Sequence, residues 1–133
     1  QQVIEANNIS AAYVEAKVKE IREKLLERYE KYTGSKKQES LRGKTIIIVD
    51  DGIATGLTMQ AVIELVRRSG AKKIVCAIPV GPIDSIELLK TKADEVVCLL
   101  TPFEFFAIGQ FYKDFTQVSD DEAIKLLKQA KEF

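Results

Sequence analysis

The spacing of apolar residues along the chain changes near residue 44. Before that point Val14, Val18, Ile21, Leu25 and Tyr29 recur at intervals of four and three, which predicts a helix over residues 10–32 with these side chains on one face. Ser10 is placed to cap its start and Gly34 to stop it after Tyr32. Eleven of the seventeen residues from Glu15 to Lys31 are charged, so the remaining faces of this helix are solvated. Residues 33–42 are polar, contain Gly34, Ser35 and Ser40, and read as a loop.

From Lys44 onward short β-branched runs alternate with helical spacing. Residues 44–49 (KTIIIV), 73–80 (KIVCAIPV) and 95–100 (EVVCLL) are apolar without strict alternation, as expected of strands buried on both faces. Between the first two, Met59, Val62, Ile63 and Val66 predict a helix over about 57–69 that stops at Gly70. Asp84 or Ser85 is expected to cap another, reaching about Lys92, and Ser119 with Glu122 forms a capping box for a last helix carrying Ile124, Leu127 and Ala130. Strand–helix–strand–helix–strand is the order of right-handed crossovers in a parallel sheet. The expectation is a single α/β domain over residues 1–133, with a helical arm and loop at 1–43 and an α/β portion at 44–133.

Composition narrows the chemistry. Twenty basic residues balance twenty acidic ones, and no block of either sign marks a nucleic-acid-binding face. No apolar run is long enough to cross a bilayer, and no signal-peptide pattern opens the chain, so no membrane partner is expected. Histidine is absent, which removes His-based triads, general bases and metal sites. Cys76 and Cys98 each lie within an apolar run and read as buried free thiols, which fits a reducing, cytoplasmic setting.

The informative stretch is residues 46–59, IIIVDDGIATGLTM. Asp50 and Asp51 end a strand, where open α/β sheets bind their ligands. Thr55, Gly56, Leu57 and Thr58 then open a helix, where backbone N–H groups and threonine hydroxyls suit a phosphate. These residue types ask for a ligand with hydroxyls for the carboxylates and a phosphate about one sugar away, as in a phosphorylated ribose. An acidic pair that merely caps the next helix does not account for the TGLT that follows. A response-regulator receiver would need an aspartate ending a later strand, and neither KIVCAIPVG nor EVVCLL has one. A dinucleotide fold would need G-x-G-x-x-G, which is absent.

Four apolar residues, an acidic pair and a threonine–glycine–x–threonine loop resemble the phosphoribosyl-pyrophosphate signature of the type I phosphoribosyltransferases. KKIVCAIPVGP, ADEVVCLLTPFEFFAIGQFYKDF and QVSDDEA extend the resemblance, to one prokaryotic phosphoribosyltransferase-like subfamily, over nearly the whole chain. It implies a Rossmann-like parallel sheet, here without the family's N-terminal strands and with a long N-terminal helix in their place. It also implies that Asp50 and Asp51 hold the ribose 2′- and 3′-hydroxyls, and that Ala54, Thr55, Gly56, Leu57 and Thr58 wrap the 5′-phosphate.

The implied reaction is displacement of pyrophosphate at the anomeric carbon by a nitrogen nucleophile such as a nucleobase. Mg²⁺ would ride on the diphosphate of the substrate, with no metal cage of protein ligands. The other reading carried by the resemblance is a non-catalytic module that senses phosphoribosyl pyrophosphate or a nucleotide.

Two positions depart from the family pattern. Ala54 stands where the 6-oxopurine enzymes carry an aspartate that acts as base, and Gly52 stands where the signature is usually aliphatic. Six of the ten aromatic residues fall within residues 103–115 and read as a small apolar cluster under a long loop. Phe105, Phe106 and Tyr112 are the candidates for stacking on a base. The chain opens on Gln1 and has one methionine, Met59, so a preceding segment carrying a diphosphate loop is expected, and transferase activity of these 133 residues alone is not. A bare edge on the first strand is expected to be covered by an added strand around Val3 and Ile4, by a missing N-terminal segment or by a second copy.

Overall fold

The computed structural model describes residues 10–130. Helix α1 spans Ala11–Thr33, strand β1 Thr45–Val49, helix α2 Leu57–Arg68 and strand β2 Lys73–Val80. Helix α3 spans Ile83–Lys90, strand β3 Glu95–Leu100, a 3₁₀ turn Ile108–Phe111 and helix α4 Asp120–Ala130. This is the expected α/β order, and the three strands form one parallel sheet in the order β1-β2-β3. The residues around Val3 and Ile4 lie outside the described range. Among the described residues no helix is long and apolar enough to cross a membrane. The described residues divide into two compact units, 39–116 and 10–38 with 117–130.

In the unit formed by 39–116, β2 is the central strand and alternates cleanly. Ile74, Cys76, Ile78 and Val80 are buried on one face, the first three against Met59, Ile63 and Val66 of α2 and Ile86 and Leu89 of α3. Met59, Ile63 and Val66 recur at four and three, so one stripe of α2 enters the core, with Val62 packed at its margin. Asp94 ties the start of β2 to the end of α2: its carboxylate accepts from the Ile74 backbone N–H at 2.7 Å and from Arg67 at 2.8 Å. Pro79 sits beyond the end of the β1 ladder, which closes at Val49 opposite Ala77, so its missing N–H leaves no gap there.

The opposite face of the sheet corrects one expectation. Ile47 is 63% exposed, Val49 73% and Leu99 81%, so β1 and β3 are not buried on both faces. An apolar run without alternation signals two apolar faces; it carries no information on whether both are covered. Cys76 is fully buried as expected, while Cys98 is half-buried.

In the other unit, Ser10 caps α1 as expected, its hydroxyl accepting from the Tyr13 N–H, and Gly34 closes the helix in a left-handed conformation. The predicted apolar face is largely open, with Val18, Ile21 and Leu25 all more than half exposed. Tyr32 donates its hydroxyl proton to Asp120 at 2.8 Å, and Arg28 and Lys31 lie at 3.5 and 3.4 Å from the same carboxylate. Ser119 accepts from the Glu122 N–H, the Ser119 half of the expected capping box.

Candidate phosphoribosyl site

The carboxyl ends of all three strands feed one corner of the unit. Beyond β1 the chain runs through Asp50 to Gly56, beyond β2 through Gly81 and Pro82, and beyond β3 through residues 101–116. Backbone bonds stitch these exits together: the Ile53 N–H donates to the Val80 carbonyl at 3.0 Å and the Gly81 N–H to the Leu100 carbonyl at 3.2 Å. Ile53 is 4% exposed and anchors the middle of the loop in the core. It fits because Gly81 has no side chain; a Cβ there would lie 2.6 Å from Ile53 Cγ1.

The loop bounds a cavity of about 210 Å³, lined by Asp50, Gly52, Ile53, Ala54, Thr55, Gly56, Leu57, Thr58, Met59 and Ile108. Its size lies below the ~300 Å³ at which pockets for drug-sized ligands begin. At one side stands Asp50, followed in the chain by the exposed Asp51, and at the other the start of α2. Gly56 precedes that helix with φ +70°, a left-handed conformation that a side chain would strain. The N–H groups of the first helical turn have no preceding turn to bond to, and that of Leu57 donates at 3.5 Å to Thr55 Oγ1. Thr55, Leu57 and Thr58 are exposed beside them. The acidic pair and the TGLT segment therefore reach a common corner of the fold.

The two carboxylates differ. Burial pushes the Asp50 carboxyl above its ordinary value, the nearby Asp51 charge adds to the rise, and the hydrogen bond from the Asp51 N–H to Asp50 Oδ1 at 3.0 Å works against it. The folded chain thus holds the Asp50 proton more tightly than the unfolded chain does. The stability this gives is complete below the ordinary value of 3.8 and is lost as pH rises through the raised folded value. Asp50→Asn, which keeps an acceptor oxygen, is expected to raise the melting temperature of the free chain at neutral pH, with the gain closing at acid pH. Thermal denaturation across pH checks this, and an Asn variant that melts lower at neutral pH would contradict it.

Residues outside the motif complete the loop. Neither Asp84 nor Ser85 caps α3: Pro82 occupies the N-cap, and the Ser85 hydroxyl instead donates to the Ala54 carbonyl at 2.6 Å. Tyr112 donates its hydroxyl proton to the Asp51 carbonyl at 2.6 Å, and its ring packs on Phe115 with centroids 5.0 Å apart. Ile108 lies over Gly52, where a Cβ would come within 2.7 Å of its Cγ2. No local pattern marks Ile108 or Ser85 for this work; the glycine at 52 is the one sequence signal of a close approach. Of the stacking candidates, Phe105 packs against Phe111 at 5.5 Å while Phe106 is 84% exposed.

A second cavity, about 460 Å³ and lined by residues of α1 with Asp120, belongs to the other unit and contains Lys24, Arg28 and Lys31. Each of these cations already lies beside a carboxylate: Glu20 for Lys24, Asp120 for Arg28 and Lys31. Among the described residues no cluster of three or more Cys, Asp or Glu side chains could hold a metal ion.

A parallel sheet with an acidic pair after its first strand, and a cavity there lined by Asp50 and a helix N-terminus, is an α/β domain of the kind that takes ligands at the carboxyl ends of its strands. Residues 5–114 match the phosphoribosyl transferase domain, and the chain belongs to that family. It is 42% identical over 128 residues to two Mycobacterium tuberculosis proteins, "Putative phosphoribosyl transferase MT0597" of strain CDC 1551 / Oshkosh and "Putative phosphoribosyl transferase Rv0571c" of strain ATCC 25618 / H37Rv. The match covers 96% of this chain and 29% of each relative, so the chain spans less than a third of their length. A crystal structure of TT1426 from Thermus thermophilus superposes with a TM-score of 0.76 at 35% identity, over 89% of this chain and 56% of that one.

Proposed function

We propose that the chain provides the phosphoribosyl-binding part of a transferase that takes phosphoribosyl pyrophosphate and delivers its phosphoribosyl group to a nitrogen nucleophile. The observation that carries this reading is that Asp50 and the α2 N-terminus line one small cavity, with Asp51 exposed next to Asp50 in the chain. Asp50 and Asp51 would accept hydrogen bonds from the ribose 2′- and 3′-hydroxyls. Thr55 to Thr58, with the Ala54–Thr55 peptide, would wrap the 5′-phosphate.

With both ends of the ribose phosphate held, its anomeric carbon is fixed relative to an incoming nucleophile. The bond to pyrophosphate breaks, a C–N bond forms, and positive charge develops on the ring while neither bond is complete. Two carboxylates beneath the ribose stabilise that charge. Mg²⁺ keeps several waters and is commonly bound through one or two carboxylates together with substrate phosphates, so a Mg²⁺ ion carried by the substrate diphosphate would supply charge neutralisation for the leaving group. Ala54 offers no proton acceptor, which favours a nucleophile other than a 6-oxopurine. Calorimetric titration of the chain with ribose 5-phosphate tests the reading. Saturable binding that glucose does not displace supports it, and no heat at millimolar ligand overturns it.

The open sheet face bears on assembly. Ile47 and Val49 on β1 and Val97 and Leu99 on β3 lie exposed, and neither of these outer strands has a partner on its far edge among the described residues. Natural proteins avoid such edges and patches. The 133-residue chain prepared alone is therefore expected to sediment as a species heavier than its 14.9 kDa. Introducing lysine at Ile47 and Leu99 should shift it toward monomer, whereas a monomeric wild-type chain at high concentration would contradict the expectation.

A further inference from the structure

We propose that Tyr112 and Ser85 are positioning residues that hold the two halves of the phosphoribosyl loop separately: Tyr112 the half that meets the ribose, Ser85 the half that meets the phosphate. The inference rests on the proposed function and extends it to residues outside the signature. Both hydroxyls donate to backbone carbonyls of the loop at 2.6 Å, Tyr112 to Asp51 and Ser85 to Ala54. They come from different segments, 61 and 31 residues away in the chain.

Each tether stands next to a joint. The Asp51 carbonyl belongs to the peptide plane shared with Gly52, and glycine leaves that plane free to swing unless something holds it. Tyr112 holds it, and Ile108 packed over Gly52 closes the space into which it would move. The Ala54 carbonyl likewise precedes Thr55 and Gly56, the turn into α2, and Ser85 fixes it from the first turn of α3. Between the two lies Ile53, buried and bonded through its N–H to Val80. This fixed point separates the halves, so slack on one side is not passed to the other.

A separable effect follows. Without the Tyr112 hydroxyl, Asp50 and Asp51 lose their orientation toward the ribose while the phosphate end is undisturbed. Without the Ser85 hydroxyl, the phosphate end itself loosens. The test is an NMR titration of the wild-type chain, Tyr112→Phe and Ser85→Ala with ribose 5-phosphate and, separately, with inorganic phosphate, following amide shifts of Thr55 to Met59. A loop loosened by loss of one tether must be re-ordered on binding, and if that costs as much as one hydrogen bond the loss of affinity is about threefold to tenfold.

Tyr112→Phe, which retains the ring, is expected to lose that factor for ribose 5-phosphate and to bind inorganic phosphate as the wild type does. Ser85→Ala is expected to lose it for both ligands. For Tyr112 a purely structural role would leave the ratio of the two affinities unchanged. For Ser85 it would lower the melting temperature with both affinities at the wild-type value, and Ser85→Thr, which keeps the hydroxyl, is expected to restore binding of both ligands. Melting curves of both variants show that the fold is retained. If the wild type binds both ligands and Tyr112→Phe weakens both alike, or neither, or Ser85→Ala weakens neither, the inference falls while the functional reading stands. A wild-type chain that binds neither ligand overturns both.

Discussion

Replacing Asp51 by Asn or Thr58 by Ala is expected to weaken ribose 5-phosphate binding by about ten- to a hundredfold. Both side chains are exposed at the loop, so neither is committed to holding the fold together. Asp51→Asn removes the charge of a group that would accept from ribose hydroxyls. Thr58→Ala removes a hydroxyl that would donate to a phosphate dianion. Hydrogen bonds to charged groups contribute roughly 1.5–3 kcal/mol, and about 1.4 kcal/mol corresponds to a factor of ten in affinity. Melting temperatures close to wild type should accompany these losses, which separates the effect from unfolding. Calorimetry on the two variants checks the expectation, and affinities equal to wild type would remove both residues from the site.

Gly52→Ala is expected to destabilise the chain strongly. A Cβ at this position would lie 2.7 Å from Ile108 Cγ2, 3.1 Å from Ile108 Cγ1 and 3.2 Å from Val80 Cγ1. Ile108 is β-branched and has few rotamers into which it can retreat. Overpacking of this kind costs about 1–3 kcal/mol. The cause is identified by a cycle: Gly52→Ala in an Ile108→Ala background should cost far less than in the wild type, because the clashing methyl is gone. Denaturant unfolding of the four chains measures it. Additive losses would mean that Ile108 is not what requires glycine here. Since Ile108 also lines the cavity, the single variant is expected to bind ribose 5-phosphate more weakly as well.

The parts of this molecule that are readable from sequence share a property: their cause is local. The strands at 45–49, 73–80 and 95–100 follow from short β-branched runs, and α2 from Met59, Ile63 and Val66 on one stripe. The placement of Asp50 at a strand end and Thr58 at a helix start follows from that order, and the fold then puts them around one cavity. What the sequence does not disclose depends on contacts between distant segments. Ser85 looks like a helix cap because serine in that context often is one, yet its hydroxyl finds a carbonyl 31 residues away. Tyr112 reads as a stacking candidate because its aromatic neighbours suggest it, while its hydroxyl is already engaged by Asp51. Gly52 is visible as a departure from the signature, but the reason for it is Ile108, far downstream in the chain. The exposure of Ile47 and Leu99 is a matter of which layers meet the sheet, which periodicity along one strand does not encode.

The central claim is that the acidic pair and the α2 N-terminus together take one phosphoribosyl ligand. An amide-resolved NMR titration of the wild-type chain with ribose 5-phosphate tests it most directly. Shifts that saturate together at Asp50–Asp51 and at Thr55 to Met59, with one dissociation constant for both groups, are the predicted result. Shifts confined to one of the two groups, or centred on Lys24, Arg28 and Lys31 of α1, would contradict it.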